Sequence, residues 1–180
     1  MTRRWFSRLD HQDFSVVDAG TLDLSDGVWW PVDPGSPEWD GVGAAPGRYR
    51  LLLALREASV VAAVVCLTDE PPATWSPVGT QCLCRTGLLW LTGQTSTAPE
   101  VLAERVAAAL PRLDRDGDED PVDLVTEALG QDVPEGVPAA FAAGWERYPE
   151  GLWIIWGGHE GPGVTPGHDP EGRTTALLLW

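Results

Sequence analysis

The sequence predicts an α+β fold: a mainly antiparallel β-sheet with about three helices from the second half packed on one side, as a single domain over residues 1–180. Three observations predict it. Short apolar segments broken by Gly- and Pro-rich turns fill the first half. Capped segments of helical period follow after residue 96, and strand-like runs return near the C-terminus. With 43% hydrophobic residues, a chain of this size removes roughly 70% of its extended surface from water, enough for a core without disulfides or metals.

Taken in order, residues 1–13 are expected to be a flexible or loosely docked segment. They are positively charged but carry no apolar run of signal-peptide length before Asp10, His11 and Asp13, so export by that route is not expected. Phe14 to Val17, Thr21 to Leu24 and Val28 to Trp30 read as a meander of small strands, divided by Asp18-Ala-Gly20 and Ser25-Asp-Gly27, turn chemistry in both cases. Pro31 to Gly47 is too broken for regular structure and reads as a long loop carrying Trp39. Arg48 to Arg56 alternates, whereas Ser59 to Thr68 is rich in valine without alternation, as a strand buried on both faces would be. These two form the expected central hairpin, turning near Glu57-Ala-Ser59, with Leu83 to Leu91 as a further strand beside them.

The expected helices have marked ends. Thr97-x-x-Glu100 has capping-box spacing before the stripe Leu102, Val106 and Leu110. Asp120-Pro121 reads as an N-cap and first helical position, with the stripe Val122, Val125 and Leu129 closed by Gly130. A third helix is expected from Pro138 to about Tyr148, with Phe141 and Trp145 four apart and Pro149 as its stop. Leu152 to Trp156 and Thr174 to Trp180 return to strand character.

Charge narrows the function classes. There are 27 acids and 12 basic residues, all arginine, for a net charge of −15. Residues 1–90 hold 11 acids and 7 arginines (−4) and residues 91–180 hold 16 and 5 (−11), so the acidity belongs mostly to the second half. Nucleic acid and anionic membranes, which both require a basic footprint, are not expected partners, and a basic protein partner is. The longest apolar run, Val60 to Leu67, falls far short of the ~20 residues that span a bilayer as a helix. Three cysteines, Cys66, Cys82 and Cys84, form neither a zinc pattern nor a disulfide framework, which implies a reducing cytoplasm and cysteines used as small hydrophobes.

No cofactor is expected, because the lysine of a phosphate-binding loop is absent and no Gly-x-Ser-x-Gly elbow or His-Glu-x-x-His helix occurs. Asp114, Asp116 and Asp118 occupy positions one, three and five of a calcium-loop pattern, but Glu119 and Val125 stand where glycine and a bidentate glutamate are needed. Asp114, Asp116, Asp118, Glu119 and Asp120 are therefore read as a carboxylate cluster facing a basic partner. Trp39 and Trp75, in proline-rich loops, are the candidate aromatic anchors of that interface, with capping of the β core as the alternative. His159, Glu160, His168 and Asp169 form the rival constellation: nitrogen and oxygen donors in a glycine-rich loop, suited to a metal or to a base with its orienting carboxylate.

Gly20-Thr-Leu-Asp-Leu-Ser-Asp-Gly27, Val32-Asp-Pro34, Pro46-Gly-Arg-Tyr49 and Gly167-His-Asp-Pro-Glu-Gly-Arg173 together resemble an uncharacterised bacterial family of unknown function, over roughly residues 18 to 180. Gly158-His-Glu-Gly161 departs from the Gly-Asp-Gly usual there, and the tyrosine that follows it is missing. Leu67-Thr-Asp-Glu-Pro-Pro-Ala-Thr-Trp75-Ser-Pro77 is similar to a patch in immunity proteins that neutralise bacterial polymorphic toxins. The resemblance implies a cytoplasmic binding module that occludes a cognate toxin. The alternatives are a small metal-dependent enzyme using the His159/His168 loop and an acidic nucleic-acid mimic.

Overall fold

The computed structural model describes residues 2–9, 13–32, 41–57, 59–77, 80–81, 88–93, 145–148, 151–157 and 162–180. Here the chain forms two antiparallel sheets packed face to face. The larger contains β1 (Ser15–Leu24), β4 (Gly47–Arg56), β5 (Ser59–Cys66), β12 (Thr174–Leu179) and β11 (Gly163–His168), in that spatial order, with the short β6 (Thr74–Trp75) and β7 (Thr80–Gln81) both pairing with β11. The smaller runs β3 (Val42–Gly43), β2 (Val28–Val32), β8 (Leu88–Thr92), β10 (Gly151–Ile155) and β9 (Trp145–Tyr148).

The central strands are buried on both faces. Leu51, Leu53, Val65, Leu177 and Leu179 face the smaller sheet and share a core with Leu89, Leu91, Leu152 and Ile154. Leu52, Ala54, Val64, Cys66, Ala176 and Leu178 point the other way, as the two-residue period of a strand requires. That second face is covered by Thr2–Leu9, a 3-10 helix that places Trp5, Phe6 and Leu9, together with Phe14, against it. Phe6 and Phe14 meet edge to face at 5.7 Å. This segment, expected to be flexible or loosely docked, contributes three buried side chains to a core layer.

Several expectations are corrected. The α+β class with about three helices gives way to a β architecture with one short helix among the described residues, and that helix is N-terminal. The third expected helix, to about Tyr148, ends instead in strand β9, paired with β10 from Trp145↔Ile154 to Tyr148↔Gly151. The four-residue spacing of Phe141 and Trp145 suggested a helix, but pairing with β10 satisfies the backbone groups on the facing edges of the two strands, and Trp145 packs against the shared core. The segments expected as helices over 97–110 and 120–130 lie outside the described residues. Leu88–Thr92 is a strand as expected, yet it lies in the smaller sheet, between β2 and β10, and not beside the central hairpin.

The central hairpin itself matches the expectation, with Arg56 paired to Ser59 and Glu57 at φ 57° in the turn. Asp18-Ala-Gly20, expected to separate two strands, is a bulge within the single strand β1, where the register against β4 shifts between Asp18 and Thr21. Gly20 takes φ +86° there, and the Asp18 carboxylate accepts its N–H at 2.9 Å and the Arg50 guanidinium at 2.8 Å. Arg147 of β9 reaches across from the smaller sheet and donates to the carbonyls of Ala19 and Thr21. Partial burial, and secondarily the charge of Arg48, lower the Arg147 pKa from its ordinary value. At Gly93 a side chain would collide with the Asp23 carbonyl and the Leu24 backbone, so glycine sets how closely the end of β8 approaches β1. No helix among the described residues is long and apolar enough to cross a membrane.

Two outcomes are expected from this packing. Leu53→Ala, in a fully buried position of the shared core, should cost about 2–5 kcal/mol in urea unfolding, and a loss below about 1 kcal/mol would contradict the packing. Burial pushes the Cys66 thiol from 9.0 up to about 12, with Arg50 opposing the rise and Asp18 adding to it. The folded state therefore holds this proton more tightly than the unfolded chain does. The stability it contributes is intact below the unfolded value of 9.0 and is lost as pH climbs toward about 12. Stability measured at successive alkaline pH values should fall less steeply in Cys66→Ala than in the parent, and equal slopes would count against a proton held by burial.

Candidate functional site

The described chemistry-bearing residues gather where the N-terminal helix meets β6, β11 and the end of β12. The hairpin between β11 and β12 turns through Asp169-Pro-Glu-Gly-Arg173, with Asp169 and Arg173 joined through their backbones at 3.0 Å and Gly172 at φ +83°. The Asp169 carboxylate accepts the Arg173 backbone N–H at 2.8 Å and Nε at 2.6 Å. Desolvation pushes this carboxyl upward, but the hydrogen bonds and charge of Arg173 outweigh it, leaving Asp169 below its ordinary pKa. Its oxygens are thus engaged in closing the hairpin.

His168, at the end of β11, places Nε2 2.9 Å from Ser76 Oγ. Its Nδ1 is buried and has no hydrogen-bond partner among the described residues. A serine beside an imidazole is the pairing that nucleophilic catalysis uses, with a third group orienting the base. Here the adjacent carboxylate, Asp169, turns to Arg173, and among the described residues no acceptor bonds Nδ1. An unsatisfied buried N–H is rarer and more costly than an under-satisfied acceptor. The favoured tautomer therefore carries its proton on Nε2 and donates to Ser76, orienting the hydroxyl without activating it. The rest of Ser76 is also engaged: its N–H bonds the Pro166 carbonyl at 3.0 Å, and its carbonyl accepts Arg8 Nη1 at 2.5 Å.

Trp75 is half-buried and packs against the second core layer, opposite Gly167 in the β6–β11 register. Its indole N–H donates to Ser7 Oγ at 3.0 Å. Arg8 lies over the Trp180 ring at 4.3 Å, and the Trp180 indole N–H donates to Thr165 Oγ1 at 3.0 Å. Trp180, 41% exposed, is the large hydrophobic residue left open to solvent among the described residues. Beside this junction a cleft of 530 Å³ is lined by Arg3, Arg4, Ser7, Pro71, Pro72 and Ala73.

The sequence-derived candidates divide accordingly. Trp75 is tied to the N-terminal helix, His168 to Ser76 and Asp169 to Arg173. Trp39, Asp114, Asp116, Asp118, Glu119, Asp120, His159 and Glu160 lie outside the described residues, as do Cys82 and Cys84. Among the described residues no three His, Cys, Asp or Glu side chains converge as metal ligands, and Cys66 is a free buried thiol. Arg8 and Ser76 were not singled out from the sequence. Their partners lie far along the chain, the Ser76 carbonyl 68 positions from Arg8 and His168 92 positions from Ser76, beyond any local pattern. Comparison with known protein families, curated proteins and solved structures finds no match to this chain.

If His168 donates to Ser76, the serine should stay unmodified after incubation with a fluorophosphonate, as read by peptide mass spectrometry. A stoichiometric adduct on Ser76 would reverse the assignment and make the pair a catalytic dyad.

Proposed function

We propose that this chain is an acidic protein-binding module, similar in kind to immunity proteins, that neutralises a basic partner such as a bacterial toxin by covering it. The observation that carries this reading is the charge: 27 acids against 12 arginines, no lysine, and most of the excess in the second half. Such a field accelerates encounter with a basic surface and repels acidic competitors. The patch from Leu67 to Pro77 that resembles immunity proteins adds to it. So does the use made of several arginines: Arg8 and Arg147 are directed to backbone carbonyls, and Arg50 and Arg173 to neighbouring carboxylates. Each of these four cations is paired with an acceptor of this chain.

In this reading the cluster Asp114, Asp116, Asp118, Glu119 and Asp120 steers the partner, and Trp39 and Trp75 help to hold it. The implied compartment is the cytoplasm. The test begins with affinity capture using the full chain, followed by reconstitution with the purified captured protein. A basic protein bound at equal stoichiometry, whose own activity falls on binding, is the expected result. Recovery of the chain alone, or of a partner whose activity is untouched, would overturn the reading. With that partner in hand, replacing Asp116, Asp118 and Asp120 together by Asn should slow association about tenfold at low salt and flatten its salt dependence. Unchanged association kinetics would remove these residues from the steering role.

A further inference from the structure

We infer that the cleft between the N-terminal helix and the Pro71–Ala73 segment is a binding site for a small monocarboxylic acid with an apolar body, anchored by Arg4. Its volume of 530 Å³ falls within the range of small-molecule sites. Arg4 and Ser7 line one side, and Pro71, Pro72 and Ala73 form the other. Arg3 also lines the cleft, but its guanidinium lies over the Phe14 ring at 4.7 Å and is committed there. Arg4 is exposed and makes no hydrogen bond, ion pair or ring contact among the described residues. One open guanidinium balances one negative charge, and its planar array of N–H donors matches both oxygens of a carboxylate at once.

The surroundings favour an anion at this place in an otherwise acidic chain. Thr2–Leu9 holds three of the twelve arginines and no acid. Asp69 and Glu70, which precede Pro71, do not line the cleft. Ser7 Oγ accepts the Trp75 indole N–H at 3.0 Å, so its own hydrogen remains for a carboxylate oxygen held by Arg4. The opposite wall is fixed by the Ala73 N–H on the His168 carbonyl at 2.8 Å and by Pro72 packed onto Gly167, where a side chain would come within 2.7 Å of the proline. Prolines contribute no N–H groups, so this wall is apolar and suits a ring or alkyl body attached to the carboxylate. The site does not rest on the acidic cluster, and it stands or falls separately from the proposed function.

The test titrates benzoate, acetate and benzyl alcohol separately into the full chain and follows the Trp75 indole N–H by NMR, that signal being identified by its loss in Trp75→Phe. Ser7 donating to a bound carboxylate would polarise its oxygen and move the Trp75 signal. Benzoate should saturate the site and bind about tenfold more tightly than acetate, with benzyl alcohol inert, and Arg4→Gln should weaken benzoate about tenfold. Arg3→Gln, which leaves the anchor in place, should weaken it less than about threefold. Ser7→Ala should abolish the response of the Trp75 signal to ligand. Near-UV circular dichroism of each variant verifies its folding. The proposal is overturned by the absence of any shift up to about 10 mM benzoate, by benzyl alcohol binding as well as benzoate, by unchanged affinity in a folded Arg4→Gln, or by Arg3→Gln weakening benzoate as much as Arg4→Gln does.

Discussion

The architecture depends on the burial of β4, β5 and β12 on both faces. A strand in that position has no solvated side, so each alternate residue needs an apolar layer to meet it. The smaller sheet supplies one layer through Leu89, Leu91, Leu152 and Ile154. Thr2–Leu9 contributes to the other through Trp5, Phe6 and Leu9. Removing either cover would expose side chains that are now at or near zero accessibility, which is why a short 3-10 helix with little stability of its own is held in place.

The polar interactions at the junction follow from the same constraint. The helix must be registered against the sheet, and its hydrophilic side does so: Arg8 bonds the Ser76 and Pro77 carbonyls, and Ser7 accepts from Trp75. Ser76 is fixed in turn by His168, and the hairpin carrying His168 is closed by Asp169 and Arg173. Residues that suggest chemistry when read along the chain thus fasten a helix onto a sheet when seen in space. Fastening the helix also creates the cleft, because Arg3, Arg4 and Ser7 are brought opposite Pro71 and Pro72.

What was legible in the sequence is what is local. The valine run of β5 declared its two-sided burial, and the Glu57 turn and the Asp-Gly at Asp26 were readable from turn chemistry alone. The N-terminal helix was not, because four of its eight residues are charged or polar side chains at exposed or half-exposed positions (Arg3, Arg4, Ser7 and Arg8) and mask the spacing of Trp5, Phe6 and Leu9. The Asp18–Gly20 segment has turn residues because a bulge with positive φ asks for the same residues as a turn. Sheet membership was equally hidden: nothing in Leu88–Thr92 distinguishes a neighbour of β5 from a neighbour of β10, since both demand an apolar strand. The site was less legible than the fold. His168 and Asp169 were visible as chemistry, but their partners Ser76 and Arg173 decide what that chemistry is for, and Ser76 lies 92 positions away.

The bulge in β1 has a consequence for how copies of this molecule meet. Among the described residues β1 ends the larger sheet, and the last strand of a sheet offers a template on which another chain can lay a strand. Here the template is interrupted midway: the backbone is kinked at Gly20, Asp18 and Asp23 place charge along it, and the carbonyls of Ala19 and Thr21 are already taken by Arg147. A strand approaching this edge finds its register broken and two of its acceptors occupied. The bracket that joins the two sheets therefore also protects the protein from edge-to-edge aggregation.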